Sequence, residues 1–205
     1  MSALEIADII GIISFALSGF LIAVHCKLDI LGVFISAFLT AFGGGMTRDV
    51  LADRTPYVFT SNFPLSLVIA TVLIAMLFKL HKITNLEGKW AFVISDAIGL
   101  SSFAITGAII AIESDFNFLS AVMLAFITAV GGGTIRDVLI NRMPFILVSE
   151  FYATVALIIG SVVYILDAFE LRNIFSLIIV FIFGVVLRVL AYYKKWHLPT
   201  LSKEN

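Results

Sequence analysis

The residues of this chain best suited to do chemistry form one charged motif that occurs twice, 88 positions apart. The first copy reads GGGMTRDVL and the second reads GGGTIRDVL. Both lie inside apolar segments, where ionisable side chains are costly and commonly mark an ion or substrate pathway. The motif residues are Gly43, Gly44, Gly45, Arg48 and Asp49 in the first copy and Gly131, Gly132, Gly133, Arg136 and Asp137 in the second.

The glycine triplets permit two interpretations. Glycine lets a backbone leave helical geometry, so we expect each triplet to break or kink its helix and free carbonyl oxygens to coordinate a cation. Such irregular backbone is tolerated at membrane depth only where it is buried in protein or faces water. The alternative is close helix packing, which small residues mediate in membranes. Two triplets in related positions favour a pathway or its hinge.

The adjacent arginine and aspartate of each motif point about 100° apart on a helix. We therefore do not expect either arginine simply to neutralise its neighbour. The hypothesis is crossed pairing between the two copies, Arg48 with Asp137 and Arg136 with Asp49. In that arrangement the charges clamp two helices together. The alternative is that the same side chains line a permeation route and shape its electric field.

Further polar residues lie on the flanking apolar segments. Asp8 and Asp96 stand near the starts of two predicted helices, where a carboxylate either caps free N–H groups or attracts cations to an entrance. Arg188 is expected to extend along its helix to the cytoplasmic membrane surface, and the alternative is a role in gating or in binding a lipid headgroup. Four hydroxyl residues recur at four-residue spacing, so that they either pack helices or line a polar lumen. They are Ser14, Ser18, Ser102 and Thr106.

Composition makes the chain an integral membrane protein. Of its 205 residues, 61% are hydrophobic and 13% charged, and the mean hydropathy is +1.12. The apolar runs are continuous and helix-length, which predicts an all-α bundle rather than a barrel. No basic tract indicates nucleic acid, and one cysteine excludes an intramolecular disulfide. We find no zinc, haem or nucleotide motif and no nucleophile–base pair, so we expect no metal site, no cofactor and no enzyme.

Helix-length apolar segments predict seven transmembrane helices in a single domain spanning residues 1–205. About 20 apolar residues are needed for each crossing. The hydrophilic breaks between the segments are short, so we expect no extramembrane domain. The predicted spans are 6–24, 29–53, 62–80, 90–112, 117–141, 146–166 and 172–192.

The chain contains an internal duplication. Residues 6–56 aligned on residues 94–144 without gaps share 24 identities in 51 positions. The organisation is a first repeat at about 6–80, a second at about 90–166 and a seventh helix at about 172–192. Because each repeat crosses the membrane three times, the second repeat starts from the opposite side of the membrane. This predicts two repeats of inverted topology, with both glycine triplets near the membrane midplane.

The positive residues predict an orientation. Eight lysines or arginines fall on one side and two, Arg54 and Arg172, on the other. This distribution places the N-terminus outside and the C-terminus in the cytoplasm. The eight are Lys27, Lys79, Lys82, Lys89, Arg142, Lys194, Lys195 and Lys203.

The duplicated GGG-x-x-R-D-V-L motif, the seven predicted spans and the length of about 200 residues resemble the trimeric intracellular cation (TRIC) channel family. Bacterial members of this family are also labelled a glycine transporter domain. The resemblance implies a homotrimer with a pore in each protomer and passive, potassium-preferring conduction of monovalent cations such as K⁺ or Na⁺. The pore would pass the kinks at Gly43–Gly45 and Gly131–Gly133. The implied location is the plasma (inner) membrane of a prokaryote, in contact with its lipids.

Two further functions remain open on the sequence alone. Inverted repeats with broken helices also occur in secondary transporters, so a carrier of a small neutral solute such as glycine is the main alternative. Few polar groups accompany the arginine and aspartate pairs, which favours a simple pore. A non-conducting structural trimer is the third possibility, although buried charge would be a costly way to build one.

Overall fold

The structure is a bundle of α-helices. The computed structural model describes residues 2–82, 86–148 and 151–196, and within these ranges it contains helices and turns but no strand. The helices are α1 (Ala3–His25), α2 (Ile30–Leu51), α3 (Phe63–Leu77), α4 (Leu86–Glu113), α5 (Phe118–Leu139), the short α6 (Phe145–Val148), α7 (Tyr152–Ala168) and α8 (Ile174–Tyr193). Single turns of 3₁₀ helix lie at Tyr57–Phe59 and Leu80–Lys82.

Five of these helices are long and apolar enough to cross a membrane, namely α1, α2, α4 from Trp90, α5 and α8. The helices α3 and α7 are also apolar but have only 15 and 17 residues. The predicted sixth span, 146–166, is divided between α6 and α7, and residues 149–150 within it lie outside the described residues. Lys203, which contributed to the predicted orientation, also lies outside them.

The second helix of each half begins in the same way, and the first two helices of each half end in the same way, because equivalent positions carry residues with the same local function. Asp29 caps α2 by accepting a hydrogen bond from the Gly32 amide at 2.7 Å. Asn117 caps α5 by accepting one from the Ser120 amide at 3.0 Å. Unpaired N–H groups at a helix start require such acceptors. The turns that follow the four helices each contain one residue with positive φ, and these are Lys27, Asp53, Asp115 and Asn141.

The two halves meet along α1 against α4 and along α2 against α5, which are the most extensive helix contacts in the structure. Between α1 and α4, Phe15 and Phe103 pack edge to face with their ring centroids 5.1 Å apart. Each ring lies on a glycine of the opposite helix, since a Cβ atom would be 2.5 Å from Phe15 at Gly99 and 2.3 Å from Phe103 at Gly11. These equivalent contacts place the centre of the bundle between the halves.

Neither glycine triplet breaks its helix. The helices α2 and α5 continue through Gly43–Gly45 and Gly131–Gly133, and in the described part of the chain no glycine has positive φ. The expectation of broken helices with freed carbonyl groups is therefore wrong, because the i→i−4 hydrogen bonds of a helix tolerate glycine when neighbouring helices support it.

Candidate functional site

Arg48 is the centre of a buried charge cluster that joins α1, α2 and α4. Its Nη1 donates to the Asp8 carboxylate at 2.7 Å and to the Thr106 hydroxyl at 2.8 Å. Its Nε donates to Asp49 at 2.8 Å. The arginine is only 2% exposed. We call Asp8, Arg48, Asp49 and Thr106 the first cluster.

The equivalent residues of the second half form a matching cluster around Arg136, which is 1% exposed. Its Nε donates to Asp137 at 2.8 Å and its Nη1 donates to the Ser18 hydroxyl at 3.1 Å. Ser18 in turn donates to Asp96 at 3.2 Å, whereas Arg136 and Asp96 are 3.9 Å apart. We call Asp96, Arg136, Asp137 and Ser18 the second cluster. Here the hydroxyl stands between arginine and carboxylate, while in the first cluster the ion pair is direct.

The predicted crossed ion pairs are wrong. Each arginine is paired with its own neighbouring aspartate and with the aspartate on the first helix of its own half, Asp8 for Arg48 and Asp96 for Arg136. The argument from the 100° angle failed because a long arginine side chain can turn its Nε back towards the next residue. Each half does supply one group to the cluster of the other half, and that group is a hydroxyl. Thr106 of the second half accepts a hydrogen bond from Arg48, and Ser18 of the first half accepts one from Arg136.

The aspartates of the two motifs also hold the turns that follow their helices. The second carboxylate oxygen of Asp49 accepts a hydrogen bond from the Tyr57 amide at 2.9 Å. The second oxygen of Asp137 accepts one from the Phe145 amide at 3.0 Å. Each carboxylate is therefore shared between a buried arginine and a backbone amide, and it fixes the position of the chain as it leaves the helix.

The surroundings of the two clusters differ. A small pocket with a cavity volume of about 20 Å³ lies beside the first cluster and is lined by Asp8, Arg48, Asp49, Gly45 and Tyr57 among others. A Cβ atom at Gly45 would meet nothing within 4 Å, so this glycine leaves open space.

At Gly133, the equivalent position of the second half, side chains occupy the corresponding space. A Cβ atom at Gly133 would lie 3.6 Å from the Arg136 guanidinium and 3.7 Å from the Tyr152 hydroxyl. The Arg136 guanidinium also lies 5.4 Å from the ring centroid of Phe92, a cation–π distance. The Arg188 guanidinium of α8 lies 4.9 Å from the ring centroid of Tyr152, also a cation–π distance.

The other glycines of the triplets bring α2 and α5 into backbone contact. A Cβ atom would lie 2.0 Å from the Thr128 carbonyl oxygen at Gly44 and 2.1 Å from the Thr40 carbonyl oxygen at Gly132. A Cβ atom at Gly43 would lie 3.1 Å from the Cα atom of Gly132, and one at Gly131 would lie 3.2 Å from the Cα atom of Gly44. These four positions serve close packing, as the alternative interpretation proposed.

The remaining candidate residues divide between the clusters and the helix contacts. Asp8 and Asp96 do not cap helices: Ser2 caps α1, and Asp96 lies inside α4. Ser18 and Thr106 belong to the clusters. Ser14 and Ser102 are buried outside them, and the Ser102 hydroxyl has no hydrogen-bond partner among the described residues. The Ser102 Cβ instead contacts α1 at Gly11, where an added Cβ atom would lie 3.3 Å from it.

Two side chains that surround the second cluster were not candidates in the sequence. Phe92 and Tyr152 look like ordinary apolar residues of membrane helices, and nothing in their spacing marks them. Arg188 was noted, but the expectation that it reaches the membrane surface is wrong, since it is 2% exposed and turned into the bundle. Its position near the end of α8 suggested the surface, whereas its guanidinium lies inside the bundle over the aromatic face of Tyr152.

Comparison with other proteins identifies the family. The membrane protein YvgT of Bacillus subtilis is 37% identical over 201 residues, which cover 98% of this chain and 97% of YvgT. A solved prokaryotic TRIC channel, crystallised in 0.5 M KCl, superposes with a TM-score of 0.87 at 35% identity, over 95% of this chain and 98% of that one. The chain belongs to the TRIC family. The TRIC trimeric intracellular cation channel orthologue from Rhodobacter sphaeroides matches with the same TM-score at 28% identity, over 95% of this chain and the whole of that one.

A family model described as a glycine transporter matches this TRIC protein twice, at residues 5–80 and 93–168. The two matched segments start 88 residues apart, the same offset that relates the two clusters. Both family labels expected from the motif are confirmed. The expectation that the chain is not an enzyme is confirmed as well, because its TRIC neighbours are channels.

Proposed function

We propose that the protein is a passive channel for monovalent cations, with a preference for potassium and a pore within each protomer. The observation that carries this proposal is the pair of buried charge clusters at equivalent positions of the two halves. Both lie between helices of the two halves, and the first adjoins a pocket with two carboxylates on its wall. Buried ionisable groups facing a cavity are characteristic of ion pathways.

The pathway runs from the first cluster to the second between the two halves. Asp8 and Ser18 are ten residues apart on α1, or about 15 Å along the helix. Asp8 and Asp49 are placed to attract cations into the pocket, where the Gly45 backbone leaves room. Beyond the pocket, the aromatic pair Phe15 and Phe103 forms an apolar constriction, and Phe103 itself lines the pocket. An apolar constriction of this kind closes a pore by excluding water.

The helix arrangement supports two inverted three-helix repeats with α8 as a seventh transmembrane helix. In this arrangement α3 and α7 also cross the membrane, and the glycine contacts of α2 and α5 lie near the midplane and act as the hinge. The short α3 and α7 can cross by using the turns that flank them. The proposed orientation has the N-terminus outside and the C-terminus in the cytoplasm, in the plasma membrane of a prokaryote.

The assembly proposed is a homotrimer. Three observations support it: the orthologue from Rhodobacter sphaeroides is described as trimeric, large apolar side chains remain exposed on α8, and others remain exposed on α3. Lipid and the other protomers are the partners suited to such surfaces.

The test is K⁺ flux from KCl-loaded liposomes containing the purified protein. Efflux without a gradient of any second solute is expected, and Asp8→Asn should lower it because the pocket loses charge. The matched control is Asp167→Asn, which removes a carboxylate whose partner is Arg172, outside both clusters. An absence of flux in the wild type, or equal losses in the two variants, would refute the channel or the role of the pocket.

The second candidate is a carrier for a small neutral solute, favoured by the description of the family model as a glycine transporter. The same liposomes with radiolabelled glycine outside distinguish the two. Saturable glycine uptake with no independent K⁺ leak would establish the carrier and make the pocket its substrate site.

A further inference from the structure

Residues 52–59 leave α2 and form the solvent side of the pocket beside the first cluster, and we call this segment the Tyr57 turn. Its residues Tyr57 and Val58 line the pocket and are half-buried, whereas Phe103, which lines the same pocket, is 2% exposed. The cavity of about 20 Å³ has room for about one water molecule. A hydrated cation needs more space, so the pocket admits one only after its solvent-side wall moves.

The Tyr57 turn is held both by its own half and by the second half. From its own half, the Asp49 carboxylate accepts a hydrogen bond from the Tyr57 amide at 2.9 Å. From the second half, Glu113 at the end of α4 accepts hydrogen bonds from Nη1 and Nη2 of Arg54, at 3.2 Å in both cases. Ala52, at the start of the turn, packs against a small apolar cluster of α4 and α5. The Arg54 and Glu113 side chains are 36% and 40% exposed, so water and salt reach this ion pair.

The second half keeps the arginine of this ion pair but not the carboxylate. Arg142 lies 88 positions after Arg54, and its Nη1 is 3.5 Å from the Cys26 sulfur. The position that corresponds to Glu113 is His25. Among the residues that the structure describes, the duplicated arginine thus pairs with a carboxylate in the first half and contacts a thiol in the second. The ion pair occurs in the half that has the pocket.

We propose that the Arg54–Glu113 ion pair is a latch that holds the Tyr57 turn closed over the pocket and thereby sets how often the pathway opens on this side. Arg54 and Glu113 are positioning residues, which act on the cation through the wall formed by Tyr57 and Val58. Opening separates the pair, because Arg54 moves with the turn while Glu113 stays on α4. This inference rests on the proposed channel function.

The open probability of single channels in symmetric 0.1 M KCl tests the latch. Arg54→Glu and Glu113→Arg each replace the ion pair with two like charges, so each should raise the open probability. Exposed ion pairs shift an equilibrium by about 1.5- to 5-fold, which is the expected rise. The double variant Arg54→Glu with Glu113→Arg restores opposite charges and should return the open probability to the wild-type value. In 1 M KCl the wild type should open more often, since the screening length falls to about 3 Å.

The direction of the two single effects separates a latch from a direct effect of charge on the cation. Arg54→Glu makes this side of the protein more negative, whereas Glu113→Arg makes it more positive. A direct effect would therefore have opposite signs in the two variants, while loss of a latch has the same sign in both. Arg172→Glu and Asp167→Arg disrupt a comparably exposed ion pair outside both clusters, and these matched controls should leave the open probability unchanged.

The movement of the Tyr57 turn can also be measured without ion flux. Val58→Cys in a Cys26→Ser background places a single thiol in the wall of the pocket. A charged maleimide that does not cross the membrane should react with this thiol about 1.5- to 5-fold faster when Arg54→Glu is added, because the turn is then open more of the time. Equal rates with and without Arg54→Glu would overturn the latch.

Failure of the latch is distinguishable from failure of the channel function. If the wild type carries no K⁺ current, the channel function fails, and the labelling rates still decide whether the ion pair holds the turn. If the wild type conducts and the two single variants change the open probability in opposite directions or not at all, the channel stands and the latch is overturned. A double variant that keeps the open probability of the single variants also overturns it.

Discussion

Gly44 of α2 lies so close to Thr128 of α5 that a Cβ atom on the glycine would be 2.0 Å from the threonine carbonyl oxygen. The equivalent approach of Gly132 to Thr40 is 2.1 Å. Two helices thus touch backbone to backbone at two points related by the duplication. Because a carbonyl oxygen cannot move without the helix that carries it, this contact sets the spacing of the halves.

Alanine at Gly44 should therefore destabilise the protein by about 2–3 kcal/mol, the upper part of the range for overpacking. The measurement is thermal or detergent-induced unfolding of purified protein. Gly45→Ala is the matched control, since its Cβ meets open space and alanine favours a helix by up to about 1 kcal/mol. Equal stabilities for the two variants would show that α2 and α5 separate easily and that the close contact is not required.

Removal of Arg48 should leave Asp8 and Asp49 buried without their cation. Breaking a buried ion pair by removing one partner costs about 3–5 kcal/mol, and Arg48→Met is expected to lie in that range. The comparison is Arg54→Met, whose partner Glu113 is 40% exposed, so that the loss should stay below about 1 kcal/mol. Unfolding of both variants under the same conditions gives the difference, and a loss at Arg48 no larger than that at Arg54 would contradict the buried cluster.

Exchanging the charges of Arg48 and Asp137 between the halves should not restore the stability that either single substitution removes. Arg48 and Asp137 make no ion pair, since each is satisfied within its own half. The variant Arg48→Asp with Asp137→Arg should therefore be at least as unstable as either single variant. A double-mutant cycle on unfolding measures the coupling; a rescue by the double variant would restore the crossed pairing that the structure excludes.

The hydroxyl of Ser18 should matter more than that of Thr106. Ser18 connects Arg136 to Asp96, while Thr106 accepts a bond from an arginine that already reaches Asp8 directly. Loss of hydrogen bonds to charged groups costs about 1.5–3 kcal/mol, so Ser18→Ala should lie within that range and Thr106→Val below it.

A buried serine without such bonds supplies the control for that comparison. The Ser101 hydroxyl has no hydrogen-bond partner among the described residues. Ser101→Ala should then be neutral or slightly stabilising, because no bond is lost. The three variants are compared by thermal unfolding, and a loss at Ser101 as large as that at Ser18 would refute the bridging role.

The sequence predicted most of the fold because membrane helices must be long and apolar, and because duplicated residues make their correspondence visible. The positions of Asp8, Arg48 and Thr106 in one cluster were not predicted as a set. Each was selected separately, but which side chains meet depends on the rotation of α1 against α4 and on the reach of arginine. Helical spacing constrains neither of these.

The glycine triplets and Arg188 are two cases in which tertiary contacts override a local pattern. Three consecutive glycines indicated a broken helix, since local propensity favours one, but tertiary contact between α2 and α5 overrides propensity. Arg188 stands near a helix end, which favours the membrane surface, but its guanidinium lies over the ring of Tyr152, a residue far away in the sequence. Neither outcome follows from local pattern.

The exchange of hydroxyls between the halves has an evolutionary consequence. An ancestral protein with a single copy of the repeat would have carried the arginine, both aspartates and a hydroxyl residue at the position of Ser18 and Thr106, but in the present arrangement that hydroxyl bonds to the arginine of the other copy. Only a second molecule could have supplied the hydroxyl partner of each arginine, and each molecule would have supplied it to the other. The present chain then corresponds to two such molecules joined in one chain, with α8 outside both repeated segments.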